Sequence, residues 1–544
     1  MDVRHVRGGR AAKAALFLFA VLFAGVAHGR EPVVAKEFMV AAANPLAVEA
    51  GVAVLARGGS ALDAAVAVQM VLGLVEPQSS GIGGGAFLLH WSQKGKKLRS
   101  YDGRETAPAT AAPDRFLDAQ GKPLPFMEAV VGGRSVGVPG VLRMLERAHR
   151  RHGRLPWGEL FGAAIRIAEE GFETPSRLRA ALAEERFLLD ALFFDQDGKP
   201  KSRIVNREYA ATLRTIAREG VDAFYRGAIA SDIVRAVRSH AKPGDLSEED
   251  LAAYRALERE PVCGGYRGRR VCSMGPPSSG GVAVLQMLGV LERTAFARAP
   301  PHSAQAVHLF TEAGRLAFAD RARYLGDPDF VAVPVQKLLS NTYLNSRSSG
   351  ITERSMGEAR AGDTEATGTS HVSIVDRHGD AVAMTTTVES PFGSRIVVRG
   401  FILNNQLTDF DFLPGAANAV SGRKRPRSSM APTMVFGKDG ELQLVLGSPG
   451  GAMIINYVAK ALVARLDWGL DLQAAVAAPN LGTRNGPTLL ERETPYAALE
   501  HGLAERGHHV VLMPLASGLH GIERAPGGWR GAADPRRDGA AMGR

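Results

Sequence analysis

The chain has 544 residues, enough for a large core and for two or three average domains, or for one long α/β unit. Hydrophobic residues make up 45% and charged residues 22%, an ordinary globular balance. The formal charge is +10, but most basic residues are scattered among acids, as in Leu145-Glu146-Arg147 and Ala183-Glu184-Glu185-Arg186. The densest run, Arg423-Lys424-Arg425-Pro426-Arg427, has no interleaved aromatics, which argues against nucleic-acid binding.

The N-terminus reads as a targeting segment. Arg4, Arg7, Arg10 and Lys13 form a charged start, and Ala14 to Ala27 form an apolar stretch too short to span a bilayer comfortably. Ala27-His28-Gly29 is a small-x-small cleavage site, so residues 1–29 are expected to be a signal peptide outside the fold. The protein is then exported, periplasmic or secreted; an uncleaved anchor is the alternative. No later stretch is long and apolar enough to cross a membrane.

Residues 37–75 read as a strand entering a helix, with a turn at Gly58-Gly59-Ser60 and a smooth apolar helix from Ala61 to Leu74. Gly81-Ile82-Gly83-Gly84-Gly85-Ala86 superficially matches a dinucleotide fingerprint. Pro77-Gln78-Ser79-Ser80 precedes it instead of a strand, and Phe87-Leu88-Leu89-His90-Trp91 follows as a strand instead of a helix, so it reads as a packing turn. Residues 140–330 look mainly helical, and Pro276-Pro277-Ser278-Ser279-Gly280-Gly281 introduces another apolar helix. Cys263 and Cys272 are the only cysteines, and a two-residue turn at Arg267-Gly268 sets them opposite each other on a hairpin. A disulfide in an oxidising compartment and two reduced, buried thiols are both compatible with that placement.

Residues 346–368 lose any apolar periodicity and read as a loop. From Thr369 to Val375 a strand alternates its side chains, so Thr369, His371 and Ser373 share a face. Arg377-His378-Gly379 signals a turn, and Ala381 to Val388 returns. A three-residue turn sets Thr387 opposite Thr369 with Glu389 on the same face; a two-residue turn slips the register and turns Thr387 away. A chain cut before Thr369 would carry a nucleophilic hydroxyl beside a free α-amine, a recognised way to activate threonine. Further on, Asn404-Asn405-Gln406-Leu407-Thr408-Asp409 offers an amide and a carboxylate, and Ser428-Ser429 offers two hydroxyls. Gly447-Ser448-Pro449-Gly450-Gly451 opens a helix whose free N–H groups suit an anion or an oxyanion.

Together these segments resemble the γ-glutamyltransferase family of N-terminal-nucleophile hydrolases, over nearly all of residues 33–540. The most specific are Thr369-Ser370-His371-Val372-Ser373, Asn404-Asn405-Gln406, Arg425-Pro426-Arg427-Ser428-Ser429-Met430-Ala431-Pro432 and Gly447-Ser448-Pro449-Gly450-Gly451. Tyr101 to Pro108, Gly133 to Gly140 and the ending Ala533 to Gly539 add support. The resemblance implies an α+β fold, a four-layer αββα sandwich built from two subunits of one autocleaved precursor. The cut falls between Gly368 and Thr369, giving a large subunit, 30–368, and a small catalytic subunit, 369–544. Thr369 is then the nucleophile, oriented by Thr387, with Gly450 and Gly451 as oxyanion hole. Arg104, Ser428 and Ser429 hold the substrate α-carboxylate, and Glu389, Gln406 and Asp409 its α-ammonium. Such a site takes the γ-glutamyl group of glutathione or a related amide and passes it to water or to an amino-acid or peptide acceptor, with no metal or organic cofactor.

Only 18 residues separate Asp409 from Ser428, fewer than in members with a lid, so an open site with no full lid is expected. Two rivals remain. One is an acylase of the same branch acting on glutaryl side chains of β-lactams, for which Glu389 and Asp409 would face no cation. The other is a non-catalytic protein that keeps the fold and binds glutathione or glutamate.

Overall fold

A computed structural model of the chain describes residues 31–188, 190–357 and 368–544. The proposed signal segment, and residues 358–367 of the loop before Thr369, lie outside the described residues. The structure is built on two seven-stranded antiparallel sheets. Their strands in chain order are β1 (Val33–Ala35), β2 (Met39–Ala42), β3 (Gly85–Ser92), β4 (Lys97–Gly103), β5 (Leu257–Arg259), β6 (Val262–Tyr266) and β7 (Arg269–Ser273). They continue as β8 (Gly368–Val375), β9 (Ala381–Glu389), β10 (Thr433–Phe436), β11 (Leu442–Gly447), β12 (His520–Ala525), β13 (Gly528–Ala533) and β14 (Ala540–Gly543). One sheet runs β14-β2-β8-β9-β3-β4-β5 and the other β1-β13-β12-β11-β10-β7-β6.

Alternation along β8 and β9 sorts their side chains into two layers. Val372, Ile374, Val382 and Met384 point outward into a core with helices α1 (Pro45–Ala56) and α2 (Ala61–Val75). Val375, Ala381 and Ala383 point inward to meet Met434, Phe436, Val445 and Ile522 of the facing sheet. Helix α2 is wholly buried, and only Asp63 and Gln69 interrupt its apolar surface, as a helix packed on every side requires. Ser60 caps it in a reciprocal box with Asp63. On the other flank α3 (Gly280–Glu292), α4 (Ala304–Tyr324) and α5 (Ile454–Leu466) cover the second sheet. The result is the expected α+β, four-layer αββα sandwich.

The expected elements are mostly where the sequence put them, with two adjustments. The helix at Asn341–Ser348 runs further than expected, so the loop begins only after Ser348. The helix after Gly451 starts with a 3-10 turn, Gly451–Met453, before α5. Cys263 and Cys272 pair across the β6–β7 hairpin and are disulfide-bonded. Among the described residues no helix is long and apolar enough to cross a membrane.

Candidate active site

The β8–β9 hairpin closes through Asp376 and Asp380, leaving Arg377-His378-Gly379 as a three-residue turn. Ser370 therefore pairs with Thr386 and His371 with Thr385, the register that faces Thr369 toward Thr387. A bulge interrupts the ladder between Gly368 and Ser370. Bulges re-aim side chains, and this one sits at the proposed nucleophile. The Thr369 and Thr387 hydroxyls are 3.3 Å apart. The Gly368 carbonyl accepts from both, at 2.7 Å from Thr369 and 2.6 Å from Thr387. Thr387 in turn accepts the Glu389 N–H at 2.8 Å, which fixes its hydroxyl proton toward Gly368.

The inward layer between the sheets is apolar near the hairpin turn and polar at the open end. There His371 contacts Thr385 at 2.9 Å and Ser373 at 3.2 Å. Burial holds its imidazole well below the ordinary histidine range, so it is neutral. The glycine turn before β3 packs against the same end: a Cβ on Gly84 would lie 2.0 Å from the Thr387 carbonyl oxygen. Close approach to β9 accounts for that glycine, in keeping with a packing turn.

One cavity at this end is lined by Arg104, Thr369, Thr387, Glu389, Gln406, Asp409, Ser428, Ser429 and Gly451. Nine of the ten residues singled out from the sequence thus meet, drawn from the ends of β4, β8 and β9, the long connection from β9 to β10 and the turn after β11. Gly450 stands just behind, at φ +136°, and a Cβ there would sit 2.6 Å from the Tyr457 ring. No residue of 410–427 lines this cavity.

Charges of both signs face the cavity. The fully buried Arg104 guanidinium donates to Asp409 and to the carbonyls of Pro426 and Arg427, both at 3.0 Å. Gln406 donates to the same Asp409 carboxylate at 2.7 Å. Glu389 lies at φ +81°, a conformation costly for a residue with a Cβ and common at functional sites. Its carboxylate accepts from Ser390 Oγ at 2.6 Å, from Thr408 at 3.4 Å and from Asn405 Nδ2.

Four contributors escaped the sequence reading. Arg321, inside α4, donates to Ser429 Oγ at 2.8 Å and to Ser279 Oγ at 2.9 Å. Nothing in the helical pattern around it marks it. Arg537 donates to the Thr369 carbonyl at 3.2 Å and to the Ser517 carbonyl at 2.9 Å; burial pulls its guanidinium down to about 9. Asn405 sits in a segment already singled out, but its role as the Glu389 clamp needed the fold. Glu105 lies wholly buried behind Arg104, 3.9 Å from its guanidinium, with no hydrogen-bond donor on either oxygen. Burial pushes its carboxyl up to about 8.

Among the described residues one group has a metal-like composition: His308, Glu312 and His508 place ligand atoms within 4.8 Å of one another. Their hydrogen bonds account for them without an ion. His308 contacts His508 at 2.8 Å and the Thr352 carbonyl at 2.8 Å, and His508 contacts Thr488 at 2.7 Å. Glu312 accepts from Arg315, Ser355 and the Met356 N–H at 2.9–3.0 Å.

Comparison with known proteins places the chain in a family. The family model described as Gamma-glutamyltranspeptidase matches residues 47–544. A glutathione hydrolase proenzyme of Bacillus subtilis (strain 168) is 38% identical, over 94% of this chain and 92% of its own. An acylase ACY 1 proenzyme of Pseudomonas sp. (strain SE83) is 36% identical, over 94% of each. Among solved structures, cephalosporin acylase from Bacillus halodurans superposes with a TM-score of 0.85 at 30% identity, covering 95% of this chain and 97% of that one. The chain therefore belongs to the γ-glutamyltranspeptidase family of N-terminal-nucleophile enzymes.

Proposed function

We propose that the chain cuts itself between Gly368 and Thr369 and then transfers or hydrolyses the γ-glutamyl group of glutathione and related amides. The two hydroxyls on the Gly368 carbonyl carry the first half of this reading. Thr387 polarises that carbonyl, and Thr369 Oγ1 attacks its carbon. An ester forms as the Gly368–Thr369 amide breaks, and the hydroxyl proton passes to the new amine. Water then cleaves the ester, leaving a Gly368 carboxylate and a free Thr369. Residues 30–368 and 369–544 become the large and small subunits of a heterodimer.

The paired charges support the second half. Arg104 and Asp409 offer one positive and one negative group side by side, the complement of an α-amino acid end. The glutamyl carboxylate takes Arg104 with Ser428 and Ser429; its ammonium takes Asp409, Glu389 and the Gln406 carbonyl. The γ-carbonyl reaches Thr369, whose amine has an ordinary pKa near 8 and takes the hydroxyl proton. The oxyanion of the tetrahedral intermediate rests on N–H groups of Gly450 and Gly451; the Thr369 ammonium then gives its proton to the departing amine as the C–N bond breaks, leaving a γ-glutamyl-threonine ester. Water or an amino-acid or peptide acceptor resolves it. This chemistry draws on no metal or organic cofactor. The N-terminal pattern and the disulfide support export to the periplasm or beyond.

The likeness to cephalosporin acylase favours a second reading, cleavage of a glutaryl amide. A glutaryl group has no ammonium, so Asp409 and Glu389 would gain no cation from it. Comparing p-nitroaniline release from γ-glutamyl- and glutaryl-p-nitroanilide separates the two; preference for the glutaryl compound overturns the glutamyl reading.

A further inference from the structure

The strand ladder skips the proposed nucleophile. Pairing of β8 with β9 passes from Gly368–Glu389 to Ser370–Thr386, and pairing of β8 with β2 begins only at Val372. The Thr369 backbone is thus held by its two peptide bonds and by the group that bonds its carbonyl. A cut before Thr369 removes one of those peptide bonds, and with it the tie to Gly368. Chain ends fray unless something fastens them.

Arg537 fastens that carbonyl. Each of its three guanidinium nitrogens donates to a backbone oxygen: to Ser517 at 2.9 Å, to Thr369 at 3.2 Å and to Ala516 at 3.3 Å. The residue is 5% exposed, and among the described residues no carboxylate lies within ion-pair distance of it. Burying a guanidinium without a counter-ion is costly, so packing alone is a poor reason for an arginine here. Its shelf is fixed: a Cβ on Gly518 would lie 2.5 Å from Arg537 Cδ, and Asn480 donates to the Leu515 carbonyl and to Ser517 Oγ, both at 2.8 Å. The next residue starts a circuit. Asp538 accepts from Ser176 Oγ at 2.7 Å and from the Arg177 N–H at 3.1 Å, at the start of the helix Ser176–Glu184. The Arg177 side chain donates to Glu76 at 3.2 Å and to Ser79 Oγ at 3.0 Å, and Glu76 accepts from Ser370 Oγ at 3.3 Å. Glu76, Ser176 and Arg177 precede the proposed cut; Ser370, Arg537 and Asp538 follow it. The circuit therefore ties the two pieces together at the nucleophile's backbone.

We propose that Arg537 is a positioning residue that takes over from the Gly368–Thr369 peptide bond after the cut, holding the Thr369 backbone so that its hydroxyl stays aimed at the substrate carbonyl. The proposal rests on the cut before Thr369 and not on which acyl group the cavity takes. Before the cut, the peptide bond to Gly368 and the Gly368–Glu389 pair already place Thr369, so self-cleavage draws little on Arg537. After it, the Arg537 contact is the hold on the Thr369 backbone ahead of Ser370, and reaction geometry depends on it.

Arg537→Met keeps most of the side chain's length and removes its donors. Self-cleavage on a denaturing-gel time course should stay within about twofold of wild type, since the tether to Gly368 is still present. In fully cut protein, kcat is read as p-nitroaniline release from whichever of the γ-glutamyl and glutaryl donors the wild type prefers. It should fall about tenfold to a hundredfold, the cost of a misplacement on the order of 1 Å. The Ki of the free acid product reads the acyl pocket alone and should stay within about twofold. Arg537→Lys keeps a donor and should restore part of kcat. A crystal structure of the matured wild type should retain the Arg537 contact to the Thr369 carbonyl; its loss overturns the proposal however the variants fold. Wild-type kcat in cut Arg537→Met protein overturns it, as does self-cleavage slowed as much as turnover. Full activity of wild-type protein whose chain is whole overturns instead the cut on which the proposal rests.

Discussion

The hydroxyls of Thr369 and Thr387 converge on one acceptor, the carbonyl of Gly368, the residue immediately before the proposed nucleophile. Thr387→Val keeps the shape of the side chain and removes the donor. Both self-cleavage and turnover should slow by about a hundredfold. A denaturing-gel time course after synthesis, followed by assay of the matured fraction, reads the two effects separately. Unchanged cleavage would mean that Thr387 does no more than pack.

Asp409 pairs with Arg104 and Gln406 in the same cavity. Under the glutamyl assignment its carboxylate binds the substrate ammonium, so Asp409→Asn should raise KM for γ-glutamyl-p-nitroanilide by about ten- to a hundredfold. A glutaryl donor has no ammonium to lose, so its KM should change far less. Equal effects on both donors would remove Asp409 from ammonium recognition.

How far these residues could be read beforehand depended on whether their signals were local. Thr369, Thr387 and the shared face followed from strand alternation and one turn length, both local properties. Ser428-Ser429 and Gly450-Gly451 stood out as short polar or glycine-rich breaks between apolar runs. Arg321 had no such mark: it becomes part of the site only because α4 packs against the loop carrying Ser429. The positive φ of Glu389 and its Asn405 clamp likewise arise from tertiary contacts that the pattern of a strand end does not encode. The boundaries of the helix at Asn341–Ser348 and of the turn before α5 were missed by a few residues, because end geometry is set by capping contacts rather than by periodicity.

Burial pushes Glu105 up to about 8, against an ordinary value of 4.5. Between those limits the folded chain keeps a proton that the unfolded chain has released, so this residue lowers stability as pH rises through the window. Glu105→Gln removes that dependence. The Tm of the variant relative to wild type should climb from pH 5 to pH 8 in scanning calorimetry. A difference that is flat over this range would show that Glu105 is already ionised at pH 5.

Gly450 adopts φ +136° with the Tyr457 ring 2.6 Å from where a Cβ would stand. Gly450→Ala should therefore shift the backbone that presents the proposed oxyanion donors. Its kcat should fall about a hundredfold or more while KM changes little, since the donors act on charge that develops only in the transition state. A rise in KM with kcat preserved would place Gly450 in ground-state binding instead.

The proposed chemistry requires Thr369 to become a chain end and to act through its own amine. N-terminal sequencing and intact mass of fully active protein decide whether it does. The expected result is two chains, the smaller beginning at Thr369, and a Thr369→Ala variant that stays whole and inert. Full activity in material whose Gly368–Thr369 bond is intact would contradict it.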